Sequence, residues 1–262
     1  RQRQMCIRDS STSVTEINPQ NSTIRIDDKE DLSFEHLLIA TGSRVRKINV
    51  SGSELNNIHY LRTIEDVDQI RSGMAKDKKL VIVGGGYIGL EVAAIATQAG
   101  MNVRVLETED RVLQRVTTPT MSNYYTLLHE KRGVRIHTKT RVIGFEGESS
   151  VKRVICENDV FDADLVIVGI GIIPNSELAE KAGIACENGI TVDERCQTSI
   201  PRIYAAGDCT NHPNPLLNRR LRLESVPNAM EQARVCASNM VGKDKIYSSI
   251  PVSYTHLRAH ET

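Results

Sequence analysis

The chain has 262 residues, enough for one large domain or two ordinary ones, and its 40% hydrophobic and 25% charged residues are typical of a folded globular protein. Its 33 basic side chains balance its 33 acidic ones, which argues against a protein that coats nucleic acid. No apolar run reaches the roughly 20 residues of a membrane span, and the 6 cysteines form no CxxC pair. With no secretory signal pattern either, we expect a cytoplasmic protein with reduced thiols.

The two ends of the chain differ from the rest. Residues 1–10 and 251–262 show no periodicity that continues into the neighbouring sequence. Both resemble the translation of a single sequencing-adapter element, read in opposite orientations at the two ends. We therefore leave both tails out of the fold prediction and expect the native part, residues 11–250, to be truncated on both sides.

The predicted elements begin with polar strands and a helix. Residues 11–31 are polar, with alternation at Ile24 and Ile26, and predict a strand and hairpin. Residues 37–42 predict a short buried strand that runs into a glycine turn, and residues 62–74 predict a helix from their apolar spacing. The polar run at 76–79 is the predicted boundary between two domains.

A β–α–β unit follows this boundary. Its predicted parts are a strand at 80–83, a glycine-rich turn at 84–89, an alanine-rich helix at 87–98 and a strand at 103–106. Beyond it we predict a helix at 119–132, a strand at 134–136, an antiparallel meander over 141–161, strands at 164–168, 189–193 and 202–206, a polar loop, and a helix at 226–241. This order predicts an α/β fold.

The glycine-rich turn carries the strongest signal for function. Its pattern, Gly84-x-Gly86-x-x-Gly89, lies between a predicted strand and a predicted helix, as a dinucleotide-binding fingerprint requires. Gly84 permits the tight turn, Gly86 lets a pyrophosphate approach the backbone, and Gly89 lets the helix and the strand pack closely. The amides at the start of the helix, at Tyr87 and Ile88, would face the phosphates.

An acidic residue completes the fingerprint. Glu107 ends the second strand, where its carboxylate can accept hydrogen bonds from the ribose hydroxyls of the adenosine. A 2′-phosphate at that position would be repelled, which favours NADH over NADPH. Arg104, Arg111 and Arg115 leave NADPH open, because any of them could reach a phosphate.

A second carboxylate, Glu91, lies within the helix among apolar neighbours. Burying a carboxylate is costly unless it is paired. We predict that Glu91 lies near the nicotinamide, where it bonds the carboxamide or the flavin region. The alternative is a carboxylate stabilised by the N-terminal half of the helix or placed on a surface face.

Three further segments form a set with the fingerprint: residues 38–42, residues 169–175 and residues 205–208. In this order and spacing the set resembles the flavoprotein reductases with two dinucleotide-binding domains. The resemblance implies FAD contacts for Ala40, Thr41, Gly42, Gly207, Asp208, Ser225 and Val226, with the Asp208 side chain on the ribityl chain. It implies contacts with the nicotinamide nucleotide for Gly169, Gly171 and Pro174.

Three longer stretches sharpen the resemblance. Residues 61–66, 111–117 and 222–233 are similar to ferredoxin and rubredoxin reductases of the putidaredoxin-reductase type. The likeness covers 11–250, with a local departure at Val45, where the family usually has a proline. A helix beginning at Val226 would point its positive end at the flavin.

The resemblance implies two Rossmann-like domains: an incomplete FAD-binding domain formed by 11–75 and 196–250, and a complete NAD-binding domain inserted at 76–195. It also implies an enzyme that transfers a hydride from NADH to FAD, and then single electrons to a ferredoxin or rubredoxin. The first glycine-rich FAD loop would lie upstream of residue 11. We therefore expect this fragment to be inactive, to bind FAD poorly and to bind NADH weakly.

Two alternatives stay open for function. One is another flavoprotein of the same build, such as an NADH oxidase, a nitrite reductase flavin subunit or a monodehydroascorbate reductase. The other is a redox-sensing protein that binds NADH and FAD but turns over slowly.

Several other residues do not predict a catalytic or metal-binding role. Cys209-x-x-His212 lacks further ligands at metal spacing, so we expect no metal site. The histidines at 36, 59, 129 and 137 are interpreted as structural. The run Arg219-Arg220-x-Arg222 could either dock an acidic ferredoxin or form a solvated hairpin.

Overall fold

A computed structural model describes residues 9–27 and 29–249 of the chain. The tails interpreted as adapter-derived lie outside the described residues, except for Asp9 and Ser10. The described residues form two compact units. The inserted unit is the continuous segment 44–173, and the flanking unit is formed by residues 9–27, 29–43 and 174–249. Within these ranges, no helix has both the length and the apolar character needed to cross a membrane.

Eighteen strands and five helices make up the described chain. The strands are β1 (Val14–Asn18), β2 (Thr23–Ile26), β3 (Glu30–Ser33), β4 (Leu37–Ile39), β5 (Ser43–Val45), β6 (Ile58–His59), β7 (Lys79–Val83), β8 (Asn102–Leu106), β9 (Arg135–His137), β10 (Val142–Glu146), β11 (Arg153–Cys156), β12 (Val160–Asp162), β13 (Leu165–Val168), β14 (Ile172–Pro174), β15 (Ile190–Thr191), β16 (Ile203–Ala205), β17 (Thr210–Asn214) and β18 (Arg219–Leu221). The helices are α1 (Ile64–Gly73), α2 (Tyr87–Gln98), α3 (Pro119–Lys131), α4 (Glu177–Lys181) and α5 (Val226–Met240).

The inserted unit is built on a parallel sheet of five strands in the order β6-β13-β7-β8-β9. Residues 80–83 of β7 are all buried, as expected of a strand covered on both faces. On one face, Leu80 and Ile82 pack with Leu90 and Ala93 of α2. The other face packs with residues of the antiparallel sheet β10-β11-β12. This arrangement places the end of β7 directly before the start of α2.

The flanking unit combines the antiparallel sheet β1-β2-β3, the parallel pair β4 and β16, and the sheet β15-β17-β18. One core cluster includes Ile39, Ile190 and Ile203. A second cluster joins Tyr204 on β16 to Val235 on α5. The pair β4 and β16 therefore brings the segments on either side of the inserted unit into one sheet.

The sequence predicted most of these elements. The α/β class is confirmed by the mixed fold with its parallel sheet. The four long helices were each predicted within two residues of their observed ends. The short elements β5, β6, β14 and α4 were missed, because two to five residues show too little periodicity to be recognised.

The polar loop predicted after Asp208 is wrong. Residues there form β17 and β18, which pair as an antiparallel hairpin. Thr210, Asn211 and His212 are all buried in β17. The strand was missed because its buried side chains are polar, so it lacks the apolar alternation that identifies a strand.

The two compact units do not test the predicted cofactor-binding domains, which stay a prediction, and they divide the chain at positions of their own. The divisions lie after Ser43 and after Ile173, whereas the predicted boundaries followed residues 75 and 195. Residues 44–75 belong with the inserted unit because β6 pairs with β13 and α1 buries Ile70 in the same core. Residues 174–195 belong with the flanking unit because β15 pairs with β17.

Candidate functional site

In the inserted unit, the turn between β7 and α2 has a shape that requires glycine at positions 84 and 89. Gly84 adopts φ of +109°, and a Cβ there would lie 2.4 Å from the carbonyl oxygen of Gly169. A Cβ on Gly89 would lie 2.2 Å from the carbonyl oxygen of Gly84. Around Gly86, in contrast, nothing lies within 4 Å of the Cβ position, so the turn is open there. Two glycines close the turn and the third leaves room for a ligand.

Helix α2 begins directly at this open position. Gly86 is its N-cap residue, with extended backbone and no side-chain cap. The amides of Tyr87 and Ile88 therefore occupy the first turn, where backbone N–H groups have no partner within the helix. The helix continues for 12 residues, so a partial positive charge is expected at its start. The start of α2 is suited to an anion.

The carboxylate of Glu107 lies at the same turn. One oxygen, Oε2, accepts a hydrogen bond from the backbone N–H of Gly85 at 2.8 Å. The other, Oε1, accepts from the N–H of Glu109 at 2.9 Å and from the hydroxyl of Thr108 at 3.2 Å. These bonds hold a half-buried carboxylate against the glycine turn. Strand β8 and the turn thus bring together the two parts of the predicted fingerprint.

Three arginines could reach the 2′-phosphate of NADPH, and two of them contact other groups of the protein. Arg111 donates to the hydroxyl of Ser122 at 2.5 Å and to the carbonyl oxygens of Thr117 and Gln114 at 3.0 Å each. Arg104 lies over the ring of Phe161, with its guanidinium carbon 5.4 Å from the ring centroid. Arg115 is exposed.

Arg104 also approaches a histidine. Its Nη1 lies 3.3 Å from Nε2 of His137, whose ring packs on Phe161 with centroids 4.7 Å apart. Burial, and then the positive charge of Arg104, lower the pKa of His137. A neutral imidazole can accept a hydrogen bond from the guanidinium, which holds Arg104 in this position.

The other positions predicted for the nicotinamide nucleotide are spread along the chain. Gly169 donates its N–H to the carbonyl oxygen of Val83 at 2.8 Å, which places it beside Gly84. Gly171, two residues later, has φ of +101°. Pro174 is the last residue of β14 and belongs to the flanking unit. Glu91 is half-buried in α2, and its place near a nicotinamide stays a prediction.

In the flanking unit, the residues predicted to contact FAD form two bonded groups. Thr41 donates its hydroxyl to the carbonyl oxygen of Asn175 at 2.6 Å, and the Asn175 amide donates to the carbonyl oxygen of Thr41 at 2.9 Å. The backbone N–H of Asn175 also donates to Gly42. Beside them, Ser43 donates to Oδ2 of Asp208 at 2.8 Å, and Ala40 directly follows β4. The segments 40–43 and 207–208 therefore meet.

The start of α5 carries two further predicted positions. Ser225 is its N-cap residue, and its hydroxyl accepts from the N–H of Asn228 at 3.4 Å. Pro227 lies in the first turn, where its missing N–H costs no helix bond. Val226 is exposed, and the Gly207 amide is bonded to Gln232 of the same helix at 2.8 Å. Sequence reasoning missed Ser43 and Gln232; the only available signal was a polar residue inside an alanine-rich helix.

The remaining notable residues take part in packing and local bonding. Cys209 donates its thiol to the carbonyl oxygen of Ala206 at 3.3 Å. Within residues 9–27 and 29–249, no cluster of His, Cys, Asp and Glu could hold a metal ion. His129 is fully buried, with its ring nitrogens 2.8 Å and 3.1 Å from the carbonyl oxygens of Tyr125 and Leu90.

The arginine run forms part of the β17–β18 hairpin. Arg220 donates to the carbonyl oxygen of Val192 at 2.6 Å, and Arg222 donates to Oδ1 of Asn188 at 3.2 Å. Arg222 also pairs with Glu224 at 2.7 Å. Two of the three guanidinium groups are thus used within the unit, which favours the hairpin over the docking surface for an acidic ferredoxin.

Comparison with known proteins agrees with this geometry. The family model described as pyridine nucleotide-disulphide oxidoreductase matches residues 3–233. Putidaredoxin reductase of Pseudomonas putida is 47% identical over 239 residues, which cover 88% of this chain and 57% of that protein. Rubredoxin-NAD(+) reductase of Pseudomonas putida is 36% identical, over 88% of this chain and 61% of that protein.

The solved structures show the same likeness. The crystal structure of the covalent putidaredoxin reductase–putidaredoxin complex matches with a TM-score of 0.85 at 47% identity, over 88% of this chain and 57% of that chain. A ferredoxin reductase of Rhodopseudomonas palustris matches with a TM-score of 0.88 at 36% identity, over 92% and 60% of the two chains. The chain thus spans less than two thirds of the length of these relatives. With its family model matched over most of its length, the chain belongs to the pyridine nucleotide-disulphide oxidoreductase family.

Proposed function

We propose that this chain forms the nucleotide-binding part of an NADH-dependent flavoprotein reductase that passes electrons to a ferredoxin or rubredoxin. In this proposal residues 76–195 form a Rossmann-like domain for NADH, and residues 11–75 with 196–250 form part of a second such domain for FAD. The relatives named as putidaredoxin reductase and rubredoxin-NAD(+) reductase support the choice of acceptor. The cytoplasmic location expected from the sequence goes with this function.

The observation that carries the proposal is the hydrogen bond between Glu107 and the glycine turn. It places a carboxylate beside an open helix start, so a ligand with a diphosphate and an unmodified ribose fits both. The amides at the start of α2 would receive the phosphates, and Glu107 would accept from the ribose hydroxyls. A 2′-phosphate would meet this negative charge, while Arg104 and Arg111 are bonded elsewhere. The geometry supports NADH over NADPH.

The flanking unit supports the flavin part of the proposal. Ser43 fixes one oxygen of Asp208 at 2.8 Å, so the carboxylate has a defined position for the hydroxyls of a ribityl chain. The start of α5, at Ser225 and Val226, would direct the positive end of the helix toward the flavin ring. FAD, when bound, supplies the exchange between a two-electron donor and single-electron acceptors. The protein supplies the position of the groups and the electrostatic field.

The nucleotide part is tested by titrating the 262-residue chain with NADH and NADPH and measuring heat or nucleotide fluorescence. We expect NADH to bind the chain at least about tenfold more tightly than NADPH, a difference of ~1.4 kcal/mol. Equal affinity for the two nucleotides, or none for NADH, would contradict the proposal.

The electron-transfer part is tested on the protein encoded by the complete gene. We expect rapid NADH-dependent reduction of cytochrome c only after a ferredoxin is added. Equally rapid reduction without a ferredoxin, or consumption of oxygen at the same rate, would favour one of the other flavoprotein enzymes.

A further inference from the structure

A buried polar network in the flanking unit joins α5 to the turn after β16. Its centre is Gln232, whose side chain is fully buried. The side-chain oxygen Oε1 lies 2.8 Å from the backbone nitrogen of Gly207 and 2.9 Å from the hydroxyl of Thr210. The side-chain nitrogen Nε2 lies 3.1 Å from Nδ1 of His212. The side chain of Gln232, a residue of α5, thus contacts both the turn and the strand that follows it.

The donors and acceptors of this network have one consistent assignment. The backbone N–H of Gly207 can only donate, so the oxygen of the Gln232 amide must face it. The NH₂ group then faces His212, whose Nδ1 must accept. Burial lowers the pKa of His212 to about 4, so the ring is neutral at neutral pH and can accept at Nδ1. The orientation of the Gln232 side chain follows from its partners.

The network continues to the first turn of α5. The Asn228 amide lies 3.3 Å from Oε1 of Gln232 and also donates to the carbonyl oxygen of Leu223 at 3.2 Å. The hydroxyl of Tyr247 donates to Oδ1 of Asn228 at 2.8 Å. Asn228 is therefore bonded on both sides, and it is also the residue whose backbone N–H is capped by Ser225. The start of α5 and the turn at Gly207 share this one set of hydrogen bonds.

The hydrogen bond from Gly207 to Gln232 is important for the position of the next residue, Asp208. Gly207 has φ of +85°, and a Cβ on it would lie 3.5 Å from the Cβ of Ala229 in α5. Its N–H is buried, so without an acceptor it would carry the cost of an unsatisfied donor. An apolar side chain at position 232 could fill the space but could not accept this bond. The acceptor therefore fixes where the turn, and with it Asp208, lies against the helix.

We propose that Gln232 is a positioning residue for flavin binding: it holds the Gly207–Asp208 turn in a fixed relation to the start of α5. This inference rests on the proposed function, because Asp208 and the start of α5 are the elements proposed to contact FAD. Gln232 does not touch the flavin; it acts through the backbone of Gly207.

The test compares Gln232→Leu with a matched control on the same helix, Asn239→Leu. Asn239 is also buried, and it donates to the carbonyl oxygens of Arg195 and Lys245 at 2.9 Å each, but none of its bonds reaches the turn. FAD affinity is measured by flavin fluorescence on the apoprotein of the protein encoded by the complete gene. We expect both variants to lower the melting temperature, with FAD affinity falling at least tenfold in Gln232→Leu and less than twofold in Asn239→Leu.

Equal loss of affinity in the two variants, or no loss in Gln232→Leu, would overturn the proposal, since both results describe a residue that only stabilises the fold. Should Gln232→Leu fail to fold, Gln232→Glu replaces it, because a carboxylate keeps an oxygen toward Gly207. We expect Gln232→Glu to stay within about threefold of the wild-type FAD affinity and to raise the pKa of His212, as seen by NMR. A tenfold loss of affinity in this variant contradicts the proposal.

A wild-type protein that binds no FAD would overturn the flavin part of the proposed function. Hydrogen exchange at the Gly207 amide then decides the positioning role by itself. Faster exchange in Gln232→Leu than in Asn239→Leu supports it, and equal rates reject it.

Discussion

The inserted and flanking units each place a turn beside the start of a helix, but they build it in different ways. In the inserted unit the turn is shaped by missing side chains, since Gly84 and Gly89 leave room for backbone atoms. In the flanking unit the turn at Gly207 is held by a buried side-chain amide, that of Gln232. The first design depends on space and the second on hydrogen bonds. Substitutions should therefore affect the two units in different ways.

The largest effect is expected from Gly89→Ala. The added methyl group would lie 2.2 Å from the carbonyl oxygen of Gly84, so the turn and α2 must move apart. We expect a loss of about 1–3 kcal/mol in the free energy of unfolding, as for other overpacked sites, and no measurable NADH binding. Urea denaturation and nucleotide titration check both. Unchanged stability would show that the turn tolerates the added methyl group, and would contradict the view that the inserted unit depends on space at this turn.

A substitution at a second glycine, Gly86, should change NADH binding without changing stability. Gly86→Ala places a methyl group where nothing lies within 4 Å, and Gly86 has an ordinary negative φ, so the fold should keep its stability. The methyl group occupies the space assigned to the pyrophosphate. We expect NADH affinity to fall about a hundredfold, or ~2.7 kcal/mol, with an unchanged melting temperature. Normal affinity would place the phosphates elsewhere.

A smaller effect is expected from Glu107→Ala. The substitution removes the acceptor for the ribose hydroxyls and the repulsion of a 2′-phosphate. We expect NADH affinity to fall about tenfold, or ~1.4 kcal/mol, and NADPH affinity not to fall, so that the preference for NADH narrows. NADPH should not become the better ligand, because Arg104 and Arg111 are bonded elsewhere and Arg115 is exposed to solvent, where an ion pair contributes little. A reversed preference in titrations with both nucleotides would disagree with this account.

The last expected effect is a dependence of stability on pH in the flanking unit. The pKa of His212 falls from 6.5 to about 4 in the folded state, so the unfolded chain binds the proton first. The contribution of His212 to stability is therefore complete above pH 6.5 and is lost as pH falls toward 4, by at most about 1.4 kcal/mol per unit. His212→Asn keeps an acceptor for Gln232 but cannot titrate.

Urea denaturation between pH 7 and pH 4.5 checks this prediction. The wild-type chain should lose stability more steeply than His212→Asn over that range. Parallel curves for the two proteins would mean that His212 does not titrate with unfolding.

The same contrast explains how much could be predicted from the sequence. The turn at 84–89 was predicted because it needs glycines at fixed spacing, and because Glu107 follows at the end of a strand. The Gln232 network was missed because its partners, Gly207 and His212, lie 25 and 20 positions away and form no periodic pattern. The bond from Ser43 to Asp208 spans 165 positions and leaves no local signal. Short-range spacing was enough for one unit and insufficient for the other.

The way the chain enters and leaves the inserted unit has a consequence for the order of folding. The inserted unit is continuous, whereas the flanking unit must join Thr41 to Asn175, which are 134 positions apart. Closing so long a loop in an unfolded chain is entropically costly and slow. Within the inserted unit, however, the N–H of Arg46 bonds the carbonyl oxygen of Gly171 at 2.9 Å, so its first and last residues meet once it has folded. We expect the inserted unit to fold first during synthesis and to shorten the closure that the flanking unit still has to make.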